Sequence, residues 1–326
     1  MITRRAFLAI ISAGACINVL AQQSAKVWRI GFLGISSASA PVWVGRVEAF
    51  RAGLRELGYV EGKNIVIEFR WGDNDYERLP GLAEELVRAR VDVLVTASTP
   101  GAMAAKKATQ TIPIVLASVG DPVSTGVVSN LPRPGGNVTG LAMFTPDEMG
   151  KRLELLKDAF PGIRRVAVLV NPDNLGVKPS IAKVREVAGR AKIDVQFVQA
   201  RSAADFEKAV AAMVEHKAEA VAVYEDPIFT TEARKLVALT IRHRLPTIGQ
   251  VSFAEAGGLI GNGVNQLELF RRAAGFVDKI FNGAKAGDLP IQQPARFELV
   301  VNTSTATALG VTLPKAFLFR ADRLVE

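Results

Sequence analysis

The chain has 326 residues, of which 49% are hydrophobic and 22% are charged, so it is long enough for two globular domains of ordinary size. Its net charge of +8 is spread along the chain without the Lys/Arg stripe of nucleic-acid binders, so no nucleic-acid partner is predicted. One cysteine, Cys16, and two distant histidines, His216 and His243, exclude zinc fingers, thiol proteases, iron–sulfur clusters and disulfide scaffolds. The composition therefore favours a binding protein over an enzyme, with no metal and no cofactor.

Residues 1–21 are predicted to be a signal peptide. Arg4 and Arg5 precede an apolar run over residues 6–20, and Ala21 ends a small-residue cleavage site. The run is too short to span a bilayer, which takes about 20 residues. The Arg4-Arg5 pair also resembles the twin-arginine motif, so both the twin-arginine and the general secretory routes stay open. Ala13 stands where a lipoprotein cleavage site has a larger aliphatic residue, so no lipid anchor is predicted at Cys16, and the expected location is the periplasm.

The first half of the mature chain predicts alternating strands and helices. Apolar runs over residues 27–33, 65–69, 91–95 and 112–116 are typical of strands. Between the first two, Val44, Val47, Phe50 and Leu54 recur at helical spacing. A later helix is predicted over residues 102–108, where Ser98-Thr99-Pro100 supplies a cap with proline in the first turn.

The second half repeats this order at an offset of roughly 130 residues. Its predicted strands cover residues 166–170, 195–198, 220–224 and 245–248. Two doubly wound α/β lobes with parallel sheets account for the pattern. In such sheets the ligand edge lies at the carboxyl ends of the strands, so two facing lobes enclose a cleft between those edges.

The loops at that edge predict the chemistry of the cleft. They are rich in hydroxyl, amide and acidic residues and poor in basic ones, which suits an amino-acid-like ligand. Helix N-termini with Ser98, Thr99 or Ser118 can hold a carboxylate, and an ammonium needs an anionic partner such as Asp121 or Asp226. Helix capping is the competing interpretation for Ser98, Thr99, Asp121 and Asp226.

Aromatic residues in the same loops offer stacking surface. Trp43, Trp71 and Tyr224 lie at or just past strand ends. Packing beneath a loop is the competing interpretation for each. The glycine-dense residues 257–263 do not have dinucleotide-binding spacing and predict a strand that leads to a crossover between lobes.

Five motifs follow one another along the chain: Gly58-Tyr59-Val60-Glu61-Gly62-Lys63-Asn64, Ser98-Thr99-Pro100, Ile112-Pro113-Ile114-Val115, Asp121-Pro122 and Pro134-Gly135-Gly136-Asn137-Val138-Thr139-Gly140. In this order they resemble one family of ABC transporter substrate-binding proteins, in the branch whose better-known members bind aromatic amino acids. The resemblance covers essentially the whole mature chain. It implies the type I periplasmic binding fold, a Venus flytrap of two lobes joined by a three-strand hinge. It also implies lobe 1 over residues 26–142 and 265–293, and lobe 2 over residues 143–264 and 294–326.

The resemblance further implies the positions of ligand contacts. They are Ser36, Ser37, Ser98, Thr99, Pro100 and Asp121 in lobe 1, and Asn171, Asp226 and Ser252 in lobe 2. This chain departs from the amino-acid-binding members at residues 173–177 and at Tyr224-Glu225-Asp226-Pro227, where those members have Thr-Asp-Asn.

The expected function is a periplasmic solute-binding component that delivers a small molecule to ABC permease subunits and acts as a monomer. One alternative is the sensor domain of a receptor or regulator, which would call for a DNA-binding helix pair or a membrane span. The other is a periplasmic enzyme that uses Glu225 and Asp226, although adjacent side chains point in different directions.

Overall fold

The computed structural model describes residues 26–143, 146–294 and 296–326. The predicted signal peptide, Cys16 included, lies outside the described residues. Two separate sheets organise the rest of the chain. We call the first sheet with the helices packed on it lobe 1, and the second sheet with its helices lobe 2.

Lobe 1 is built on five parallel strands in the order β2-β1-β3-β4-β5. The strands are β1 (Trp28–Gly34), β2 (Ile65–Trp71), β3 (Val93–Thr96), β4 (Ile114–Val119) and β5 (Val138–Ala142). The helices are α1 (Pro41–Glu56), α2 (Leu79–Arg88), α3 (Thr99–Ala108) and, much later in the chain, α10 (Gln266–Phe281). The helix α10 packs against α1 and over β4, while α2 packs against α3.

Lobe 2 is built on seven strands in the order β12-β11-β10-β9-β8-β6-β7. The strands are β6 (Arg165–Val170), β7 (Asp194–Gln199), β8 (Ala220–Val223), β9 (Thr247–Gly249), β10 (Ile260–Gly263), β11 (Glu298–Asn302) and β12 (Arg323–Val325). Among the described strands of this sheet, β10 and β11 pair antiparallel and the other neighbours pair parallel. The helices are α4 (Pro146–Ala159), α5 (Val177–Ala191), α6 (Phe206–Glu215), α7 (Pro227–Thr231), α8 (Ala233–Arg242), α9 (Val251–Glu255), α11 (Thr303–Leu309) and α12 (Lys315–Leu318).

The chain passes between the two sheets three times. It leaves the first sheet after Ala142, returns after Gly263 through α10, and re-enters the second sheet at Glu298. The prediction of two doubly wound α/β lobes is confirmed, and so is a strand within the glycine-dense residues 257–263. The exact lobe boundaries stay a prediction.

Apolar strands covered by helices on both faces form the core of each lobe. In lobe 1 the ring of Phe32 contacts Phe50, Phe69 and Trp71. Trp43 is 1% exposed and meets Trp71 and Phe270 edge to face at 6.0 Å. The aromatic surface predicted for the cleft at Trp43 is therefore part of this core, because helix α1 turns the indole inward.

Glycine is required at one place in the first sheet. Gly140 has φ of 125°, and a Cβ there would lie 2.2 Å from the carbonyl oxygen of Leu116 on the neighbouring strand. The close approach of β4 and β5 is thus possible only without a side chain. Gly140 therefore lets β5 pair closely with β4 just before the chain crosses to lobe 2.

Among the described helices, none is both long enough and apolar enough to cross a membrane.

Candidate functional site

A small cavity of about 30 Å³ lies between the carboxyl ends of the two sheets. That volume is well below the range of about 300–1,000 Å³ that is usual for small-molecule sites, so the lobes must separate to admit a ligand of ordinary size. From lobe 1 the lining includes Arg46, Ala97, Ser98, Thr99, Ser118 and Gly120. From lobe 2 it includes Asn174, Tyr224, Glu225, Asp226, Thr230 and Gln250. Because both lobes supply walls, any molecule held here touches both.

Two of the lobe 1 hydroxyls in the lining are held by hydrogen bonds within that lobe. Ser98 is the N-cap of α3, and its Oγ accepts the N–H of Gly101 at 3.1 Å. Ser118 donates its hydroxyl to Oε1 of Gln266 at 2.7 Å. Thr99, in the first turn of α3, is also buried in the lining. The structure thus brings these three predicted residues together at the cavity, and for Ser98 capping and lining occur together.

Among the described residues of the lining, Arg46 is the one cation from lobe 1, and the sequence reasoning missed it. Its side chain leaves α1 and is only 6% exposed, with the guanidinium carbon 5.1 Å from the Trp43 ring centroid. Burial lowers the pKa of Arg46 to about 10, and the nearby charge of Glu225 opposes that shift. The available signal was spacing, because Arg46 follows Trp43 by three positions and precedes Phe50 by four on the buried face of the helix.

Asp226 is the most completely hydrogen-bonded carboxylate of the cavity. As N-cap of α7 it accepts the N–H of Ile228 at 3.0 Å. It also accepts Nδ2 of Asn174 at 3.0 Å and the hydroxyl of Tyr76 at 2.7 Å. Burial raises the pKa of Asp226, and these hydrogen bonds act in the opposite direction. The predicted contact Asn171 lies beside it, with its Nδ2 3.5 Å from Oδ1 of Asp226.

Glu225 forms a buried ion pair with Arg152, which lies on α4. Arg152 is 1% exposed and also donates to the carbonyls of Val223 and Asn262. The second carboxylate oxygen of Glu225, Oε2, has no hydrogen-bond partner among the described residues. Glu225 therefore has a buried acceptor atom, Oε2, at the cavity, while Arg152 compensates its charge.

Tyr224 lies in the lining as predicted and is 5% exposed. Its hydroxyl is 3.5 Å from the hydroxyl of Ser180, and burial raises its pKa above the ordinary value. The ring offers an apolar face next to the polar groups of the site.

The two lobes touch across the cleft. The hydroxyls of Ser36 and Thr231 are hydrogen-bonded at 2.7 Å, and Tyr76 of lobe 1 donates to Asp226 of lobe 2. Predicted residue Ser36 thus contacts the other lobe without lining the cavity.

The remaining predicted residues are placed elsewhere. Ser37 is hydrogen-bonded to Ser39, and Pro100 lines a separate outer groove. Asp121 lies outside the lining, because its carboxylate turns back to accept the N–H groups of Val123 and Ser124. Ser252 lines grooves beside the cavity, and its Oγ has no partner in the part of the chain that the structure describes.

Within residues 26–143, 146–294 and 296–326, no group of three or more His, Cys, Asp and Glu side chains is arranged to hold a metal ion.

Comparison with known proteins gives consistent relatives. The family model described as ABC transporter substrate binding protein matches residues 37–325. A tyrosine-binding protein of Clostridioides difficile is 27% identical over 265 residues, which are 81% of this chain and 76% of that protein.

Two solved structures are also similar. An ABC domain in complex with L-Trp from Streptococcus pneumonia has a TM-score of 0.84 and 25% identity, and the match covers 91% of this chain and 99% of that one. A ligand-free, open substrate-binding protein from Clostridium difficile has a TM-score of 0.65 and 26% identity, covering 92% and 99%.

Proposed function

The chain belongs to the ABC transporter substrate-binding protein family, and on that premise we propose that it is the solute-binding component of an uptake transporter. It holds a small amino-acid-like or aromatic molecule between its lobes and delivers that molecule to membrane permease subunits. The fold is the type I periplasmic binding fold.

The observation that carries this proposal is the cavity walled by both lobes and closed by hydrogen bonds between them. A ligand that contacts both lobes stabilises the closed arrangement over the open one, which is a shift of population. The TM-score is higher for the L-Trp complex, at 0.84, than for the ligand-free, open protein, at 0.65, although the sequence identities are nearly equal. This difference supports a closed arrangement of the lobes.

The relatives support the class of ligand. One is named for tyrosine and another was solved with L-Trp. In this chain, Tyr224, Met143 and Ala97 give apolar lining next to charged groups. An aromatic or aliphatic side chain fits against such a surface while a polar head group meets the charges.

We propose binding without catalysis. Ser98 and Ser118 in the lining are engaged as cap and donor, and neither is hydrogen-bonded to a general base among the described residues. The expected location is the periplasm, reached through the predicted signal peptide, and the expected state is a monomer.

The test is a thermal-shift screen of the mature protein from about Gln22 onward. The panel contains amino acids, aromatic acids, small peptides, sugars and nucleosides, because a ligand that binds only the native state raises the Tm. Each hit is followed by small-angle scattering for compaction and by chromatography for turnover. A hit that compacts the protein and stays intact supports the proposal, whereas turnover of the hit, or no hit in the whole panel, contradicts it.

A further inference from the structure

The guanidinium of Arg46 is buried in the cavity, and no carboxylate of the described residues forms an ion pair with it. Its Nε and Nη2 atoms have no hydrogen-bond partner among the residues that the structure describes. The group lies over two aromatic rings instead, with its central carbon 5.1 Å from the Trp43 centroid and 5.9 Å from that of Phe270. Burial of an unpaired charge is costly, and a guanidinium presents donors in a fork that matches a carboxylate. The rings hold this fork in one place before any ligand arrives.

Glu225 supplies the matching unsatisfied acceptor on the other lobe. One of its oxygens is held by Arg152, and Oε2 is buried without a partner in the described chain. Its charge acts on Arg46, yet no ion pair joins the two side chains. The cavity thus holds an unsatisfied donor group on lobe 1 and an unsatisfied acceptor on lobe 2, close together but separated.

The other carboxylate of the cavity lining, and the one that the sequence also suggested, are already engaged. Asp226 accepts hydrogen bonds from Tyr76, Asn174 and Ile228. Asp121 accepts two backbone N–H groups of its own turn and lies outside the lining. Of the two carboxylates in the described lining, Glu225 therefore has an oxygen left for a ligand.

We propose that Arg46 binds the α-carboxylate, and Glu225 the α-ammonium, of a zwitterionic amino acid. This inference rests on the proposed function and names its substrate class and head-group contacts. Because the two charges belong to different lobes, a ligand that carries both head groups joins the lobes. A ligand with only one of the two leaves either a buried guanidinium or a buried carboxylate oxygen unpaired.

The first test uses the wild-type mature protein and calorimetry. The twenty amino acids are compared with analogues of the best binder that lack one head group, such as tyramine and 3-(4-hydroxyphenyl)propionate for tyrosine. We expect each truncated analogue to bind on the order of 100-fold more weakly than the amino acid, as for loss of one partner of a buried charge pair. Equal binding of the deaminated analogue would overturn the role of Glu225, and equal binding of the decarboxylated one would overturn that of Arg46.

The second test is Arg46→Gln, with Arg51→Gln as the matched control. Arg51 lies on the same helix with its guanidinium 5.2 Å from the Phe69 centroid, but it is paired with Glu61 at the surface. We expect Arg46→Gln to weaken amino-acid binding about 100-fold while the ligand-free Tm stays equal or rises, because an unpaired buried charge is removed. A purely structural role would instead lower the ligand-free Tm and leave affinity in the folded fraction unchanged.

The outcomes of these tests distinguish failure of the head-group assignment from failure of the proposed solute-binding function. If no amino acid binds but a sugar or an aromatic acid does, the head-group assignment is overturned and the solute-binding role survives. If nothing in the panel of the thermal-shift screen binds, both are overturned.

Discussion

The hydroxyl of Tyr76 in lobe 1 donates to Oδ2 of Asp226 in lobe 2 at 2.7 Å. Asp226 is 2% exposed and is also the N-cap of α7, at the cavity wall. The Tyr76–Asp226 hydrogen bond therefore joins the two lobes at the N-terminus of α7, next to the cavity.

Tyr76→Phe is expected to weaken ligand binding about tenfold, since a hydrogen bond to a charged group contributes about 1.5–3 kcal/mol and 1.4 kcal/mol is tenfold in affinity. The loss falls on the closed arrangement only, because Tyr76 meets Asp226 across the cleft. Calorimetry gives the affinity, and scattering of the ligand-free protein gives the degree of opening.

Tyr59→Phe is the matched control, because Tyr59 donates to Asp278 at 3.0 Å and both residues belong to lobe 1. It should lower the free energy of unfolding without changing affinity. If Tyr76→Phe leaves the affinity unchanged, the Tyr76–Asp226 hydrogen bond does not contribute to ligand binding.

Asp121→Asn and Asp226→Asn should separate two residues that the sequence treats alike. In Asp226→Asn the new amide nitrogen would face Nδ2 of Asn174, a donor against a donor, so we expect binding at least fivefold weaker, or about 1 kcal/mol. Asp121→Asn, outside the cavity, should keep the wild-type affinity within about twofold. Calorimetry on both variants decides, and weaker binding in Asp121→Asn would place that residue in the site after all.

Arg152→Met should lower the free energy of unfolding by about 3–5 kcal/mol, because it leaves Glu225 as an unpaired buried carboxylate. Urea unfolding measures the effect. The double variant Arg152→Met, Glu225→Leu removes both charges and should recover much of the loss.

Arg190→Met serves as the surface comparison, since Arg190 pairs with Glu186 on the exposed face of α5. It should cost less than about 1 kcal/mol. If Arg152→Met and Arg190→Met lower the free energy of unfolding equally, the buried ion pair contributes no more to stability than the surface pair does.

The partly buried carboxyl group of Glu148 should make the free energy of unfolding depend on pH. Burial raises its pKa from 4.5 to about 7, against the opposing charge of Arg152. Between these two values the folded chain binds a proton that the unfolded chain has lost, so this group makes the free energy of unfolding fall as pH rises from about 4.5 to 7. In Glu148→Gln that part of the fall should be absent.

Urea unfolding at pH 5 and pH 7.5 checks this, with Glu154→Gln as control, because Glu154 lies on the same helix and pairs with Lys151 at the surface. The control should follow the wild-type pH profile. A Glu148→Gln profile identical to wild type would contradict the raised pKa.

Periodicity alone identified most of the strands and the two-lobed order. Runs such as residues 27–33 and 166–170 became β1 (Trp28–Gly34) and β6 (Arg165–Val170). Strands buried on both faces must be continuously apolar, so their pattern is local and can be read without the fold. The cap at Ser98 was predictable for the same reason, because its donor Gly101 is three residues away.

The members of the site were only partly predictable. Ser98, Thr99, Ser118, Tyr224 and Asp226 line the cavity as their loop positions suggested. Asp121 and Trp43 share those positions but turn away, one to its own turn and one to the core. A strand end tells which edge a residue is on, but the direction of its side chain depends on the local turn and the packing of the following helix.

The sequence by itself determined the fold class, the family resemblance and the edge at which the site lies, because these follow from local patterns and motif order. The folded structure was needed to show that Arg46 on α1 lines the same cavity as Glu225 and that Arg152 pairs with Glu225 from α4. These residues are 73 or more positions apart or belong to different lobes. Their relation depends on how the sheets are brought together, and no local pattern records that.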